Sequence, residues 1–408
     1  MAKEIKMPKA LKIVVLIVTI LLILSALAAG AYFLFYGGVS VGGAKYRIVL
    51  NGFYAEVVGF DSGATDVVIS DKFVGLPVKS IGYDAFDKYS LKSVVIPASV
   101  ERIDERAFYS CDKLGAIEVA EENKYYKHIK GNLYTKDGKT LVQYAIGKNA
   151  TSFTIPDGVT SIDSYAFYSC DALKRIVIPA SVKTIGNSAF SCCNALERIV
   201  IPESVESIGD YVFFLCYDLT SIEVAEGNEY YKDIDGNLYS IDGTVLVQYA
   251  IGKDSISFTI PASVKTISSS AFSGCDALQR IVIPASVETI GNFAFDSCSA
   301  LKSVTFEEGS KLTSIGEYEF SDCRNLKSIV IPASVKTIGN SAFSWCNALE
   351  SIVIPASVET IGDWAFRNSD ALKTVYYSGG VLDWNGIEIG EYNNSLENAT
   401  IIYYHEER

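Results

Sequence analysis

The sequence predicts a β-rich α/β solenoid: one long parallel sheet with short helical or irregular return segments, two inserted β-hairpin arms and terminal caps. Three observations predict it. Within residues 81–366, an Ile followed five residues later by Phe occurs ten times, at steps of 22 to 25 residues except for two steps of 59. Each copy carries apolar residues at alternate positions, as in Ile199-Val200-Ile201, which is typical of a strand. Pro and Gly recur at fixed positions after it. The ten phenylalanines are Phe86, Phe108, Phe167, Phe190, Phe213, Phe272, Phe295, Phe320, Phe343 and Phe366.

Each repeat unit, or rung, follows the pattern A-F-x-x-C-x-x-L-x-x-I-x-I-P-x-S-V-x-x-I-G, as in residues 189–209. The Pro ends the strand because it has no amide hydrogen for a further ladder bond. We expect the Gly to permit the tight bend that turns the chain back. Ala-Phe then opens the return segment, and its Phe fills the interior. No single rung can bury its apolar face alone, so neighbouring rungs must stack.

This pattern resembles the leucine-rich repeat, specifically the BspA-like class found on microbial surfaces. Leu173, Ile176 and Ile178 match L-x-x-L-x-L, and Ser181 lies near the usual Asn/Cys position. The resemblance covers about residues 45–408. It implies a binding scaffold whose strand face is concave, with host-cell, matrix or microbial surfaces as partners. It implies no enzymatic activity, cofactor or small-molecule substrate.

The N-terminus predicts a membrane anchor. Four lysines precede residues 13–36, which are 24 residues without a charge and long enough to cross a bilayer as a helix. Basic residues on that side favour a cytoplasmic tail, 1–12, and repeats outside the cell. The alternative is a signal peptide cleaved near Ala26-Leu27-Ala28, which would secrete the repeats instead.

The remaining boundaries follow from where the pattern begins and ends. Residues 37–44 form a linker, 45–80 an N-terminal cap, 81–375 the solenoid and 376–408 a C-terminal cap. An open solenoid needs such caps to cover its terminal edges.

Two rungs contain an insertion. The spacing between strand centres rises there to 36 residues, and each insertion carries Asp-Gly, at 137/138 and 242/243, a strong hairpin signal. We predict β-hairpin arms at about 121–150 and 226–255. They lie 105 residues apart, which indicates that a block of rungs was duplicated.

Charge also follows the repeat. Lys and Glu alternate between adjacent rungs at one position, so stacking predicts ion pairs that favour the correct register. The predicted pairs are Lys79 with Glu101, Lys183 with Glu206, Lys265 with Glu288, and Lys336 with Glu359.

Little in the sequence indicates catalysis or metal binding. No C-x-x-C occurs, and the only histidines are His128 and His405, which argues against zinc and hydrolase sites. A net charge of −13 disfavours nucleic acid. Cys192 is out of register and is the best candidate for a reactive thiol. The other eight cysteines stand three residues after a repeat Phe, as in a buried ladder: Cys111, Cys170, Cys193, Cys216, Cys275, Cys298, Cys323 and Cys346.

The candidate partner-binding residues are aromatic residues and arginines that interrupt an otherwise uniform surface. They are Tyr125, Tyr126, Tyr230 and Tyr231 of the arms, Arg175, Arg198 and Arg280 of the strand face, and Tyr376 and Trp384 of the cap. Alternatively, the tyrosines only pack the arms onto the solenoid. We therefore expect a membrane-anchored surface protein that mediates recognition of, or adhesion to, an extracellular protein or glycan. The alternative is a structural spacer of the cell envelope without a specific ligand.

Overall fold

The computed structural model describes residues 38–86 and 90–404. It forms two compact units, one ending at Asp137 and the other beginning at Gly138. The predicted cytoplasmic tail and anchor, residues 1–36, lie outside the described residues.

The N-terminal unit contains eleven of the described strands. They are β1 (Val39–Val41), β2 (Ala44–Val49), β3 (Tyr54–Phe60), β4 (Asp66–Val68), β5 (Lys72–Phe73), β6 (Leu76–Ile81), β7 (Ser93–Ile96), β8 (Arg102–Ile103), β9 (Ala116–Val119), β10 (Tyr126–Ile129) and β11 (Asn132–Thr135). Strands β1, β2 and β3 form an antiparallel meander, so strand structure begins inside the predicted linker. Strand β3 then runs parallel to β6, and β6 to β8, while β4, β7 and β9 form a second parallel ladder. The segment predicted as a cap therefore contributes strands to both ladders.

The C-terminal unit contains the remaining elements. Its strands are β12 (Thr140–Gln143), β13 (Ser152–Thr154), β14 (Ser161–Ile162), β15 (Arg175–Val177), β16 (Thr184–Ile185), β17 (Arg198–Ile201), β18 (Ser207–Ile208), β19 (Ser221–Val224), β20 (Tyr231–Ile234), β21 (Asn237–Ser240), β22 (Val245–Gln248), β23 (Ser257–Thr259), β24 (Thr266–Ile267), β25 (Arg280–Ile283), β26 (Thr289–Ile290), β27 (Ser303–Phe306), β28 (Ser314–Ile315), β29 (Ser328–Val330), β30 (Thr337–Ile338), β31 (Ser351–Ile354), β32 (Thr360–Ile361), β33 (Thr374–Tyr377), β34 (Glu388–Ile389) and β35 (Thr400–Tyr403). Its helices are the 3-10 turn Ile146–Lys148, α1 (Val381–Asn385) and α2 (Asn394–Glu397).

Each rung of the C-terminal unit contributes to two parallel ladders. The predicted strands form the first ladder, in the orders β13-β15-β17-β19, β23-β25-β27 and β29-β31-β33-β35. A second ladder of two-residue strands, such as β14-β16-β18 and β28-β30-β32-β34, forms at the Ser/Thr-Ile pair before the repeat Gly. Sequence analysis did not predict this second ladder.

The second arm divides the first ladder. The arm consists of three antiparallel strands, β20, β21 and β22, joined at Asp235-Gly236 and at the predicted Asp242-Gly243 turn. The amide of Ile222 in β19 donates to the carbonyl of Gly236 at 2.9 Å. The arm therefore stands beside β19, where the next rung would otherwise pair, and the long predicted sheet is built as shorter ladders.

The return segments with a repeat Phe are successive turns, and none of them is helical within residues 38–86 and 90–404; a 3-10 turn, Ile146–Lys148, follows Tyr144 in an arm-bearing rung. In the Ala-Phe type rungs of the C-terminal unit, two residues, at Phe−2 and Phe+2, have positive φ: in one rung these are Ser188 at 53° and Cys192 at 58°. This geometry lets alternate amides donate to the next rung, as when Phe190 donates to the carbonyl of Val212 at 3.0 Å. The positive-φ sites of the repeats hold Ser, Tyr, Asp, Trp or Gly among others but no β-branched residue, because β-branching disfavours this conformation.

The repeat phenylalanines form a stacked column in the interior, as predicted. In the C-terminal unit the ring centroids of successive rungs are 4.9 to 5.7 Å apart, and each ring is fully buried. Tyr144 and Tyr249 fill the column in the rungs that carry the arms, stacking on Phe167 and Phe272 at 5.3 and 5.0 Å. An aromatic ring at this position therefore persists where Ala-Phe is lost.

The repeat glycines are not required by the backbone conformation of the bend, contrary to our prediction. Gly186, Gly209 and Gly291 have ordinary negative φ, so another residue could adopt their backbone conformation. A Cβ at Gly186 would instead lie 2.5 Å from the backbone nitrogen of Ser164 in the preceding rung. The prediction of a glycine-dependent turn was wrong, because the glycine is required by close approach between rungs.

Three of the four predicted ion pairs are present. The Lys–Glu nitrogen–oxygen distances are 3.0 Å for Lys79 and Glu101, 2.7 Å for Lys183 and Glu206, and 3.0 Å for Lys336 and Glu359. Glu288, predicted to pair with Lys265, lies 3.8 Å from Lys311 instead.

One rung carries a buried acid. Between Phe295 and Phe320 the chain is two residues longer than in the usual rung, and Glu319 stands where most rungs have Ala. The Glu319 carboxyl is fully buried, accepts one hydrogen bond from the Gly316 amide at 2.6 Å and leaves Oε1 without a partner. Burial raises the pKa of Glu319 to about 8.

We predict that Gly186→Ala destabilises the protein by about 1–3 kcal/mol, because the new methyl overpacks the contact between rungs. Gly115→Ala is the matched control, since a Cβ there would meet only the Lys92 carbonyl at 3.8 Å. Urea unfolding followed by circular dichroism measures both. An equal loss in the two variants would contradict the close-approach explanation.

We also predict that Glu319→Gln removes a pH dependence of stability. The carboxyl is protonated in the folded protein up to about pH 8, whereas it ionises near its ordinary value of 4.5 in the unfolded chain. The wild type should therefore lose stability between those values, at up to about 1.4 kcal/mol per pH unit. Urea midpoints of both proteins at pH 5 and pH 8 test this. A variant-to-wild-type difference that is the same at both pH values would refute it.

Candidate functional site

One buried asparagine fixes each arm to the solenoid. In the second arm, the Asn228 side-chain amide donates to the carbonyls of Pro202 and Val205 at 2.8 and 3.1 Å. Its oxygen accepts from the amides of Tyr230 and Tyr231 at 2.8 and 2.7 Å. Asn123 makes the same four contacts in the first arm, with Pro97, Val100, Tyr125 and Tyr126.

The second tyrosine of each pair anchors its arm. The hydroxyl of Tyr126 accepts from the Ile103 amide at 3.1 Å, and that of Tyr231 accepts from the Ile208 amide at 3.0 Å. Both rings are half-buried, and burial raises the pKa of Tyr231. The structure thus places Tyr126 and Tyr231 in contacts that hold the arm to the preceding rung.

The first tyrosine of each pair faces solvent. Tyr125 is 47% exposed and Tyr230 is 46% exposed, although each lies next to an anchoring tyrosine. Their backbone amides are held by the asparagine, so each ring projects from a fixed point. In each pair the fold uses one tyrosine ring as an anchor and leaves the other largely exposed.

Two of the three candidate arginines are neighbours. Arg175 and Arg198 lie side by side on β15 and β17. The Arg198 guanidinium pairs with Glu223 at 2.5 Å, whereas Arg175 makes no ion pair within the described part of the chain. They line a depression of about 500 Å³ whose apolar wall includes Val177 and Val200.

The third arginine repeats the position of the first one 105 residues later. Arg280 lies on β25 between Ser257 and Ser303 of the neighbouring strands. It is exposed, and it has no ion-pair partner among residues 38–86 and 90–404. The structure does not bring Arg280 next to Arg175 and Arg198, because it belongs to a different ladder segment.

The cap candidates lie at the last rungs. Tyr376 stands in register between Val353 and Ile402, and its ring stacks on Tyr404 with centroids 6.1 Å apart. Trp384, on α1, packs edge-on against the buried Tyr377 at 5.1 Å. Part of the Trp384 ring therefore packs on the hydrophobic core and covers its end.

An apolar row runs along the strand face, and its last member, Ile402, was not predicted from the sequence. Val330, Val353, Tyr376 and Ile402 follow one another in register across β29, β31, β33 and β35. Val330 is 60% exposed and Ile402 is 42% exposed. The row could have been extended from the sequence, because residues 400–403 repeat the strand pattern of Thr374–Tyr377.

The cysteines form the predicted buried ladder. All nine are free thiols, and the eight in register are buried. The thiols of Cys193, Cys216, Cys298 and Cys346 each donate to the carbonyl of the Phe in the preceding rung at 3.1 Å. Burial also raises the pKa of Cys192, which disfavours the reactive thiolate that we expected there.

We also searched the described residues for metal sites, membrane-spanning helices and modification sites. Among residues 38–86 and 90–404, no group of three or more His, Cys, Asp or Glu side chains could hold a metal ion. No helix within those same residues is long and apolar enough to cross a membrane. N-x-S/T motifs, the acceptor pattern for N-glycosylation, begin at Asn149, Asn393 and Asn398. Asn393 is fully buried and its amide donates to the carbonyls of Gly362 and Gly390, so it is inaccessible to modification in the folded protein.

The chain matches the family described as the BspA type leucine rich repeat region (6 copies) over residues 71–135, 143–238 and 251–376, which is more than half of its length. No curated protein matches it.

Several solved bacterial structures are similar. A leucine rich cell surface protein from Faecalibacterium prausnitzii is 30% identical, with a TM-score of 0.61 over 86% of this chain and 97% of that one. The pneumococcal vaccine antigen PcpA, at 19% identity, has a TM-score of 0.57 over 90% of this chain and 99% of that one. A leucine-rich repeat protein from Eubacterium ventriosum, at 22% identity, has a TM-score of 0.52 over 90% and 96%. The last two show the fold alone.

We predict that Tyr126→Phe and Tyr231→Phe each cost about 1–3 kcal/mol, because each leaves a backbone amide of the preceding rung without its acceptor. Tyr125→Phe and Tyr230→Phe are the controls, since they remove the same hydroxyl from an exposed ring. Urea unfolding of the four variants compares them. Indistinguishable losses in the two pairs would show that the hydroxyls do not anchor the arms.

Proposed function

The chain belongs to the BspA-type leucine-rich repeat family, and from that premise we propose that it recognises, or adheres to, a protein or glycan partner at the cell surface. No chemical step is required of the repeats, which act as a scaffold that presents side chains at fixed spacing. The fold alone supports many binding activities, so the proposal depends on particular residues.

The observation that carries the proposal is that the arms expose side chains the fold does not use. Tyr125 and Tyr230 project from asparagine-fixed backbone while their neighbours do the anchoring. Tyrosine and arginine are over-represented where binding energy concentrates, because they combine apolar area with hydrogen-bonding groups. Arg175 and Arg280, exposed and without ion pairs in the described part of the chain, provide further contact points on the strand face.

A location at the membrane is part of the same proposal. Residues 13–36 would span the bilayer with tail 1–12 in the cytoplasm, and the repeats would face outward. Cleavage after 26–28 would release the same repeats as a secreted protein. Protease treatment of intact cells should remove the repeats under the anchored form, and full protection of the repeats would contradict it.

The second candidate is a spacer of the cell envelope without a specific ligand. The observation in its favour is the uniform column Ser328, Ser351, Thr374 and Thr400, which runs in register along one flank of the strand face. Small hydroxyl side chains that repeat in this way form a uniform surface, which offers few features for specific recognition by a partner.

We predict that the full chain, purified in mild detergent, binds a defined subset of a protein and glycan array. Replacing both exposed arm rings, Tyr125→Ser with Tyr230→Ser, should weaken that binding at least tenfold because the contact area is lost. Tyr217→Ser is the control, since it removes a ring that is 42% exposed outside the arms. Retained binding in the double variant would mean that the arm rings are not contacts. A silent array would favour the spacer.

A further inference from the structure

The two arms have the same backbone. The first and second strands of each hairpin pair in one register, with Tyr126 opposite Thr135 in the first arm and Tyr231 opposite Ser240 in the second. Each turn has a positive-φ residue followed by Gly, and each arm is fixed by the same asparagine and tyrosine contacts. Equivalent positions of the two arms are therefore presented in equivalent geometry.

The net charges of the two hairpins are opposite. Residues 124–136 hold four lysines and no carboxylate, whereas residues 229–241 hold one lysine and three carboxylates. Exposed Lys124 corresponds to exposed Glu229, and exposed Lys130 to exposed Asp235. We call these segments the basic hairpin and the acidic hairpin.

The change of charge has been accommodated without changing the fold. In the basic hairpin, Nδ1 of His128 accepts from the Val119 amide at 2.9 Å. In the acidic hairpin, a carboxylate oxygen of Asp233 accepts from the Val224 amide at the same distance. A neutral ring nitrogen and a charged oxygen thus make the same structural contact, which leaves the two hairpins alike in shape and different in charge.

We propose that the acidic hairpin of one copy of this chain binds the basic hairpin of a second copy. The chain carries a net charge of −13, so four lysines without a carboxylate form a local exception on an acidic protein. The matching acidic surface is encoded in the same sequence with the same spacing: six residues separate Lys124 from Lys130, and six separate Glu229 from Asp235. Antiparallel docking of the two hairpins would set Lys124 against Asp235 and Lys130 against Glu229.

The two surfaces differ, so the association is head-to-tail. After one contact forms, each pair of copies still has one unused basic hairpin and one unused acidic hairpin. Assembly therefore either continues into chains or closes, and a reciprocal pairing of both hairpins between two copies is the smallest closed form. The contacts are exposed ion pairs, so association weakens with salt: the screening length falls from about 30 Å at 0.01 M to about 8 Å at 0.15 M.

Charge reversal of one hairpin at a time tests the proposal. Lys124→Glu with Lys130→Asp makes these two positions acidic in both hairpins, and Glu229→Lys with Asp235→Lys makes them basic in both. Sedimentation velocity of the full chain in mild detergent at low ionic strength should show concentration-dependent association of the wild type. Each reversed variant alone should associate at least tenfold more weakly, and an equimolar mixture of the two should associate again.

The mixture also shows that both variants are folded, because unfolded hairpins would not recover binding. Lys327→Glu with Lys373→Asp is the matched control, since it makes the same charge change at exposed lysines outside the arms and should leave association intact. A wild type that is monomeric at all concentrations would overturn the proposal, as would a mixture that fails to associate. Binding of a sulfated polysaccharide through Lys124 and Lys130 without self-association would overturn it in favour of a polyanionic partner.

Discussion

The distance between adjacent return segments is the constraint on which the rest of this structure depends. At Gly186, Gly209 and Gly291, a single added carbon would lie 2.4 to 2.7 Å from backbone atoms of the preceding rung. The stacked aromatic column and the amide-to-carbonyl bonds between return segments set the same spacing. Rungs that keep this Gly must satisfy all three, whereas Asp104, Asp163 and Ser268 replace it in three other rungs. The rung before Gly316, two residues longer, shows the limit, because there a Cβ would first meet a side-chain oxygen of Asn292 at 3.1 Å and would reach backbone, the Ile290 carbonyl, only at 3.6 Å.

The features that the sequence predicted are those that repeat with the period. Phe190 and Cys193 recur in nearly every unit, and only an interior position in a stack explains a large and a small apolar residue held at such constant spacing. The second ladder was missed because two residues such as Thr184–Ile185 are too few to show an alternating pattern. The positive-φ sites left one weak signal, the lack of β-branched residues two positions before and after each Phe. Glu319 was signalled only by its replacement of Ala, and its burial could not be read from the pattern.

The candidate contact residues were harder to predict than the fold, for a local reason. Tyr125 and Tyr126 are adjacent and identical in type, yet one ring faces solvent and the other bonds a backbone amide of the preceding rung. Composition places both in the arm but cannot say which side each occupies. The Asn-x-Tyr-Tyr motif, repeated at 123 and 228, was the available clue. The buried Asn123 side chain makes four hydrogen bonds to backbone groups, and these bonds fix which tyrosine ring faces solvent. The scaffold thus divides each pair into a residue that holds the arm and one that the fold leaves free.

The interruption of the first ladder by the second arm bears on how the C-terminal unit comes apart. Strand β19 bonds to the turn of the hairpin rather than to β23, so direct strand pairing does not run across that point. Solenoid stability is the sum of each unit and its interfaces with its neighbours, and a weaker interface separates regions that open independently. Hydrogen exchange should then divide this unit into two cooperative blocks that meet at residues 226–255, with amides of β13–β19 and β23–β27 protected to different degrees. The second arm, which gives the surface its distinctive side chains, would in this way also set the boundary between two regions that unfold independently.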